Sequence, residues 1–197
     1  MADNSTANDT GNAESNEPYV KPLDHRKHDR AAFSSGIRSI DNYLKLTAKK
    51  HDLNDHAKIF VVTEPDSEKV IGFYALSSHS VSQKIVPIGI ARNAPNHGNI
   101  PCVFLSMIGV DKAHQGKGIG TGLLIDAMNR VARRSADVGT AAIVLDVLVD
   151  AQDDEETIRR RLNFYQNMGF EPTLDDPKRL MISIKAVRAS LAAAGLI

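Results

Sequence analysis

A single cysteine, Cys102, excludes an intrachain disulfide, so packing alone must hold the fold and a reducing compartment suits the chain. Within Pro101-Cys102-Val103-Phe104-Leu105 it reads as a small apolar strand residue rather than a nucleophile, since no histidine is paired with it in sequence. No apolar run approaches the roughly 20 residues that cross a membrane. The first residues also lack the basic start and apolar segment of a secretory signal. There is no internal repeat. Net charge is missing too: Lys and Arg total 24 and Asp and Glu total 24. The balance is uneven, because residues 1–20 hold Asp3, Asp9, Glu14 and Glu17 and no basic residue, which leaves 24 basic against 20 acidic groups on the rest. That mild surplus neither demands nor excludes an anionic partner. A soluble, cytoplasmic protein is expected.

At 197 residues the chain suits one domain and a tail. Residues 1–17, rich in Asn, Ser, Thr and Asp, offer almost nothing to bury and are expected to be a disordered polar tail. Residues 18–197 then form a single domain. Tyr19 to Leu23 suggests a short first strand. Ile37, Ile40, Tyr43, Leu44 and Leu46-Thr47 recur at helical spacing, with Ser39 and Asp41 near the helix start. Two strands come next, 58–63 and 70–76, joined by Glu64-Pro65-Asp66-Ser67. Residues 84–101, punctuated by Pro and Gly, read as an irregular excursion forming a long loop near the active face. A strand at 102–110 leads into a helix from about Ile119 to Ser135, with Leu123, Leu124, Ala127, Met128 and Val131 as its buried stripe. The run 141–148 suits a central strand covered on both sides. A helix from Gln152 to Met168 ends at Gly169, with acidic residues at the positive end of its dipole. A last strand at 180–184 precedes an alanine-rich end. The order is mixed α/β.

The most informative stretch is Val103 to Leu124, a strand, a turn carrying Gln115-Gly116-Lys117-Gly118-Ile119-Gly120, and a helix start. Glycines there let backbone N–H groups approach a ligand, and the helix end adds partial positive charge, so the segment suits phosphates. It is not a mononucleotide P-loop, because Gly116-Lys117 is followed by Gly118 rather than Ser or Thr. Nor is it the dinucleotide fingerprint, since Leu123 stands where the third glycine belongs.

The pattern Q-x-x-G-x-G over Gln115 to Gly120 resembles the pyrophosphate-binding motif of the GNAT acyltransferases. Phe164-Tyr165-x-x-x-Gly169-Phe170 resembles a second motif of that family, in the right order and at a familiar separation. The resemblance covers roughly residues 22–186 and implies a central, mostly antiparallel sheet, splayed at the cofactor and flanked by helices. It implies acetyl-CoA as co-substrate and transfer of its acetyl group to a primary amine. Gln115, Gly116, Lys117, Gly118, Ile119, Gly120 and Thr121 would take the pyrophosphate. The backbone of Ile108, Gly109 and Val110 would pair with the pantetheine arm and polarise the thioester carbonyl. Tyr165 would be the general acid that protonates the departing thiolate, for which a phenol near pKa 10 suits a thiol near 8.5. No metal site is implied. Asp111, Asp146, His79 and His97 stay open as candidate bases, alongside a water-mediated base or an amine that arrives neutral.

His28 to Gly36, Ile40-Asp41-x-Tyr43-Leu44, Phe73 to Ser77 and Ile100-Pro101 further resemble the branch of GNAT proteins that includes toxins acetylating the α-amino group of aminoacyl-tRNA. That resemblance implies a ribbon-helix-helix antitoxin as partner and raises a homodimer. The chain departs from the pattern in its long polar tail and in three further places. Met107 precedes Ile108-Gly109-Val110-Asp111 where several toxins carry a basic residue in an Arg-Leu-Ala-Val-Asp-like stretch. Gln152–Arg161 forms an extended insertion. Ile158 stands seven residues before the motif tyrosine, where Asn is common. Arg159, Arg160 and Arg161 with Arg130, Arg133 and Arg134 could face tRNA, but they read more simply as solvated helix faces balanced by Asp153 to Glu156. Two other functions remain open: an acetyltransferase for small-molecule or protein amines without a toxin role, and a non-catalytic acyl-CoA-binding protein.

Overall fold

The computed structural model describes residues 19–92, 94 and 98–196. The polar tail expected at 1–17 and the candidate base His97 lie outside them. The elements run β1 (Lys21–Pro22), α1 (Arg38–Asn42), a π-helical turn (Tyr43–Thr47), α2 (Ala48–Leu53), β2 (Lys58–Thr63), β3 (Val70–Ser82), α3 (Ile88–Ala91), β4 (Asn99–Val110), α4 (Ile119–Arg134), β5 (Ala142–Asp146), α5 (Glu155–Gln166), β6 (Glu171–Pro172), β7 (Arg179–Ser183) and α6 (Ile184–Ala193). The strands form one sheet in the order β1-β2-β3-β4-β5-β7-β6, antiparallel throughout except for the β4–β5 pair. The expected mixed α/β, mostly antiparallel architecture is what the chain adopts.

Each face of the sheet carries its own core. On one, Ile40, Tyr43, Leu44 and Ala48 from the α1 to α2 helical segment cover Ile59, Val61, Phe73 and Ala75 of β2 and β3. On the other, the expected stripe of α4, Leu123, Leu124, Ala127, Met128 and Val131, packs with Val187 and Leu191 of α6 against Leu105, Ile143 and Leu145. Burial of each such side chain favours the fold by about 1.5–3 kcal/mol before conformational entropy is set against it. The fully buried Tyr74 on this face donates its hydroxyl to Asp126, and Arg130 donates to the same hydroxyl at 3.0 Å while lying 4.0 Å above the Phe60 ring.

The first helix differs from its expected form. A π turn interrupts the first helix over Tyr43–Thr47, where Tyr43 and Leu44 are buried and Leu46, expected inward, is 76% exposed. The excursion at 84–101 is also corrected. β3 runs on to Ser82 and β4 begins at Asn99, leaving a shorter connection that holds α3. Val86 and Ile85 pack on Ile100, Cys102, Ala142 and Val144, and the Ile85 carbonyl accepts from Leu174. The connection is thereby tied to the end of β4 where that strand begins, away from the glycine turn. Cys102 is buried there, and burial pushes its thiol up to about 11.

Candidate active site

A register break organises the site. Ala75 pairs with Met107 but Leu76 with Leu105, so Ser106 is an extra residue on β4, a bulge that bends the strand. β4 pairs with β5 only at Cys102, Val103 and Phe104. Beyond that point β5 stays with β7 as far as Asp146, and β4 diverges from it. A cleft of about 730 Å³ opens between them. Its lining comes from Leu105 to Val110 on one strand, Leu145 and Asp146 on the other with Val147 to Val149 just after it, Ile37 and Ile40 of the first helical segment, and Arg160, Phe164 and Tyr165 of α5. None of the described residues of 84–101 lines it.

The backbone of β4 faces this opening at alternate residues. The Val110 carbonyl turns away from β3 to accept from Gln115 Nε2 at 3.0 Å. Ile108, two residues earlier, shares that orientation. Gly109, between them, is required by contact: a Cβ there would stand 2.6 Å from Ile40 Cγ2.

The glycine turn is fastened from outside. Asp111 is buried and accepts from Ser34 N at 2.9 Å and from Ala113 N at 3.0 Å. Burial pushes its carboxyl up, but those N–H groups outweigh burial and hold it below the usual range. Gln115 Nε2 also donates to the Ser35 carbonyl at 2.9 Å, so its side chain fixes the turn instead of reaching outward. Lys117 Nζ donates to the Ala113 carbonyl at 3.0 Å. Gly116 and Gly118 have φ of +75° and +81°, with nothing within 4 Å of where a Cβ would stand. Gly118 caps α4 without a side chain, which leaves the first-turn N–H groups of Ile119, Gly120 and Thr121 open to an anion. The donor set suits a diphosphate.

Across the cleft, Asp154 caps α5 by accepting from Thr157 N at 2.8 Å. Arg161, bound to Asp153 and to the Leu148 carbonyl, ties α5 to the segment after β5. The segment 152–161 thus brings Arg160 and Arg161 to the wall of the cleft. Tyr165 is half-buried between Phe164 and Phe170, with ring centroids at 5.0 and 6.0 Å. Its hydroxyl has no hydrogen-bond partner among the described residues. Burial pushes the phenol up to about 12, with Arg161 acting weakly the other way.

The candidate bases fare differently. Asp111 is committed to backbone N–H groups. Asp146 lines the cleft but accepts from Arg179 at 2.6 and 2.9 Å. His79 is exposed on β3 against Phe104 and does not line the cleft. Sequence reasoning missed Ser106, Ile37, Ile40 and the role of Ser34-Ser35. Asp41, placed near the helix start by its sequence position, in fact accepts from Ser35 N at 2.7 Å and Ser35 Oγ at 2.6 Å.

Residues 55–172 match the acetyltransferase (GNAT) domain. The chain is 42% identical over 170 residues to a probable toxin TacT of Sinorhizobium fredii, covering 86% of this chain and 93% of that protein. It is 36% identical over 161 residues to a tRNA-acetylating toxin of Mycobacterium tuberculosis, covering 82% and 89%. Among solved structures, AtaT complexed with acetyl-methionyl-tRNAfMet superposes with a TM-score of 0.76 at 21% identity, over 88% of this chain and 98% of that one. A mutant of AtaT bound to the C-terminus of the antitoxin AtaR and acetyl-CoA gives 0.70 at 20% identity, over 88% and 97%.

Proposed function

The chain belongs to the GNAT acetyltransferase family and is an acetyl-CoA-dependent N-acetyltransferase, and from that premise we propose that its acceptor is the α-amino group of aminoacyl-tRNA and that it acts as a toxin. The observation that carries the catalytic part is Tyr165, a protonated phenol without a hydrogen-bond partner among the described residues, set in the cleft between diverging strands. The acceptor rests on the two toxin relatives.

In this reading the diphosphate of acetyl-CoA sits on the turn from Gln115 to Thr121, where Gly116 and Gly118 present backbone N–H groups and the α4 dipole favours negative charge. The pantetheine arm runs along Ile108 to Val110 and takes the place of the neighbour β4 lost at the bulge. The amine attacks the thioester carbon while an N–H of β4 stabilises the carbonyl oxygen as it becomes negative. The C–S bond breaks, and Tyr165 gives its proton to the thiolate sulfur. A phenol near 12 is still protonated at neutral pH and so remains available as the acid. An antitoxin is the expected protein partner, as in the complex of AtaT with AtaR.

Thiol release from acetyl-CoA with charged tRNA and with a panel of small and protein amines tests the proposal. Acetylation of charged tRNA that collapses in Tyr165→Phe supports it. Turnover on small or protein amines alone removes the toxin role, and binding of acetyl-CoA without turnover removes the assignment of Tyr165.

A further inference from the structure

The glycine turn is not held by its own residues alone. Three hydrogen bonds join it to the segment before α1: Lys112 N donates to the Ser34 carbonyl at 2.8 Å, Ser34 N to Asp111 at 2.9 Å, and Gln115 Nε2 to the Ser35 carbonyl at 2.9 Å. Asp41 of α1 holds the same two serines in turn. Its Oδ1 accepts from Ser35 N at 2.7 Å and from Ser35 Oγ at 2.6 Å, and its Oδ2 accepts from Ser34 Oγ at 3.4 Å. Short bonds from N–H and O–H groups to a carboxylate are charge-assisted and about twice as strong as neutral ones. Any carboxylate in a first helical turn favours the dipole, but these bonds leave the helix and go to Ser34 and Ser35. Ser35 is 7% exposed, so without Asp41 its N–H would lose its acceptor in a place shielded from water. The Ser35 hydroxyl has a second acceptor in the Ile37 carbonyl at 3.3 Å, so the backbone N–H is the group that most depends on the carboxylate. Ser35 and Gln115 line the cleft, and Asp41 stands outside it.

We propose that Asp41 is a positioning residue for the co-substrate: through Ser35 it fixes the Gln115 side chain, and through Gln115 the backbone N–H groups that hold the diphosphate of acetyl-CoA. This rests on the reading that the diphosphate sits on the turn from Gln115 to Thr121. The links run in series, from the Asp41 carboxylate to the Ser35 backbone, from there to the Gln115 amide, and from the amide to the Val110 carbonyl at 3.0 Å. Asp41 itself meets neither co-substrate nor acceptor. Its loss leaves every N–H group of the turn in the sequence but no longer holds them in one arrangement, so acetyl-CoA must order the turn as it binds. That cost falls on affinity, because it is met before the chemical step begins. The same carboxylate joins the helix that carries Ile37 and Ile40, two lining residues of the cleft, to the end that takes the diphosphate.

Titration with acetyl-CoA needs no acceptor, so its outcome is independent of which amine the enzyme acetylates. Asp41→Ala is expected to raise the Kd for acetyl-CoA about 10-fold with kcat within about twofold of wild type, while Asp41→Asn, which keeps an oxygen for Ser35, stays within about twofold in both. Gln115→Met should raise the Kd to a similar extent. The double variant should bind no more than about twofold worse than the weaker single one, because both changes break one link. S-acetyl-pantetheine has no diphosphate, so its kcat/KM, measured with the amine that wild type acetylates, should change less than about twofold in Asp41→Ala. A general loosening of the fold would lower it along with that of acetyl-CoA. Ser35→Ala removes only the hydroxyl link and should raise the Kd about threefold, which keeps the proposal testable where Asp41→Ala does not fold. Thr121→Glu places a carboxylate at an exposed position beside the same N–H groups and separates this proposal from the reading it rests on. An unchanged Kd in Thr121→Glu means that the diphosphate lies elsewhere, and both fall. Weakened binding in Thr121→Glu overturns the role of Asp41 alone if the Kd of Asp41→Ala stays within about twofold, if the Asp41 and Gln115 losses multiply, or if S-acetyl-pantetheine suffers as much as acetyl-CoA.

Discussion

At the scale of single residues, environment separates groups that look alike in sequence. Four tyrosines are present, but Tyr165 has a phenol that lies in the cleft and has no hydrogen-bond partner among the described residues, whereas Tyr74 is consumed by Asp126 and Arg130. Tyr165→Phe removes one oxygen and keeps the packing on Phe164 and Phe170. The expected result is a fall in kcat of about 100-fold or more with acetyl-CoA binding retained, measured by thiol release and by titration. Because burial raises this phenol to about 12, the rate should show no alkaline loss from Tyr165 through the ordinary phenol range. The same shift has a stability consequence. Above the unfolded value near 10 the unfolded chain gives up its proton first, so stability full below that point declines as pH rises toward 12. Asp111 has the opposite sign, its folded pKa lying below the unfolded value. Its contribution is present above the unfolded carboxylate range and is lost as pH falls through the lowered folded value. Asp111→Ala leaves the N–H groups of Ser34 and Ala113 without that acceptor and is expected to lower stability by about 1–3 kcal/mol in denaturant unfolding. The motif positions Gln115 and Tyr165 were legible because their pattern is local. The partners of Asp111 were not, since Ser34 is 77 residues away and nothing in the spacing marks it as the other half of the clamp.

At the scale of elements, contact between α1 and β4 shapes the wall and floor of the cleft. Gly109 permits it, and a methyl group there would meet Ile40 Cγ2 at 2.6 Å and Phe73 Cε1 at 3.2 Å. Ile40 lies on a helix and Phe73 is fully buried, so neither can give easily. Gly109→Ala is expected to destabilise by about 1–3 kcal/mol in thermal unfolding. It should also raise KM for acetyl-CoA, because Ile37 and Ile40 line the cleft. A variant with wild-type stability and KM would mean that α1 is not held at this distance. Strong local periodicity made α4, β5 and α5 readable, and α4 spans Ile119–Arg134 with every expected stripe residue buried. The π turn was not readable, because Tyr43, Leu44 and Leu46 fit a regular helix on paper. The packing of Tyr43 against Phe73 and His51 joins residues that the local spacing does not connect. The alanine-rich end forms the whole of α6, since Val187 and Leu191 find α4 to cover.

At the scale of the whole molecule, the splay arises from pairing between distant strands. The sequence of β4 contains no sign of the bulge at Ser106, because a bulge exists only relative to the register of β3. Charge is likewise a property of the assembled surface. The arginines that composition offered as a tRNA patch are largely paired: Arg130 with Asp126, Arg159 with Glu156 and Arg161 with Asp153. Arg160 at the cleft and Arg134 at the end of α4 make no ion pair or hydrogen bond among the described residues, and the formal charge is zero. A surface of this kind can neutralise few phosphates. Each phosphate gripped on a single strand contributes about −0.7 to the slope of log affinity against log salt, so two or three contacts predict a loss of about 7- to 18-fold between 50 and 200 mM salt. Affinity for charged tRNA, measured across that range, should therefore fall gently, and Arg160→Gln should reduce the slope by about one contact. A fall of about 1,000-fold or more would require a broad phosphate-gripping face that these internally paired arginines do not supply. Recognition would then have to come from cations elsewhere on the assembly, with the cleft serving the chemistry alone.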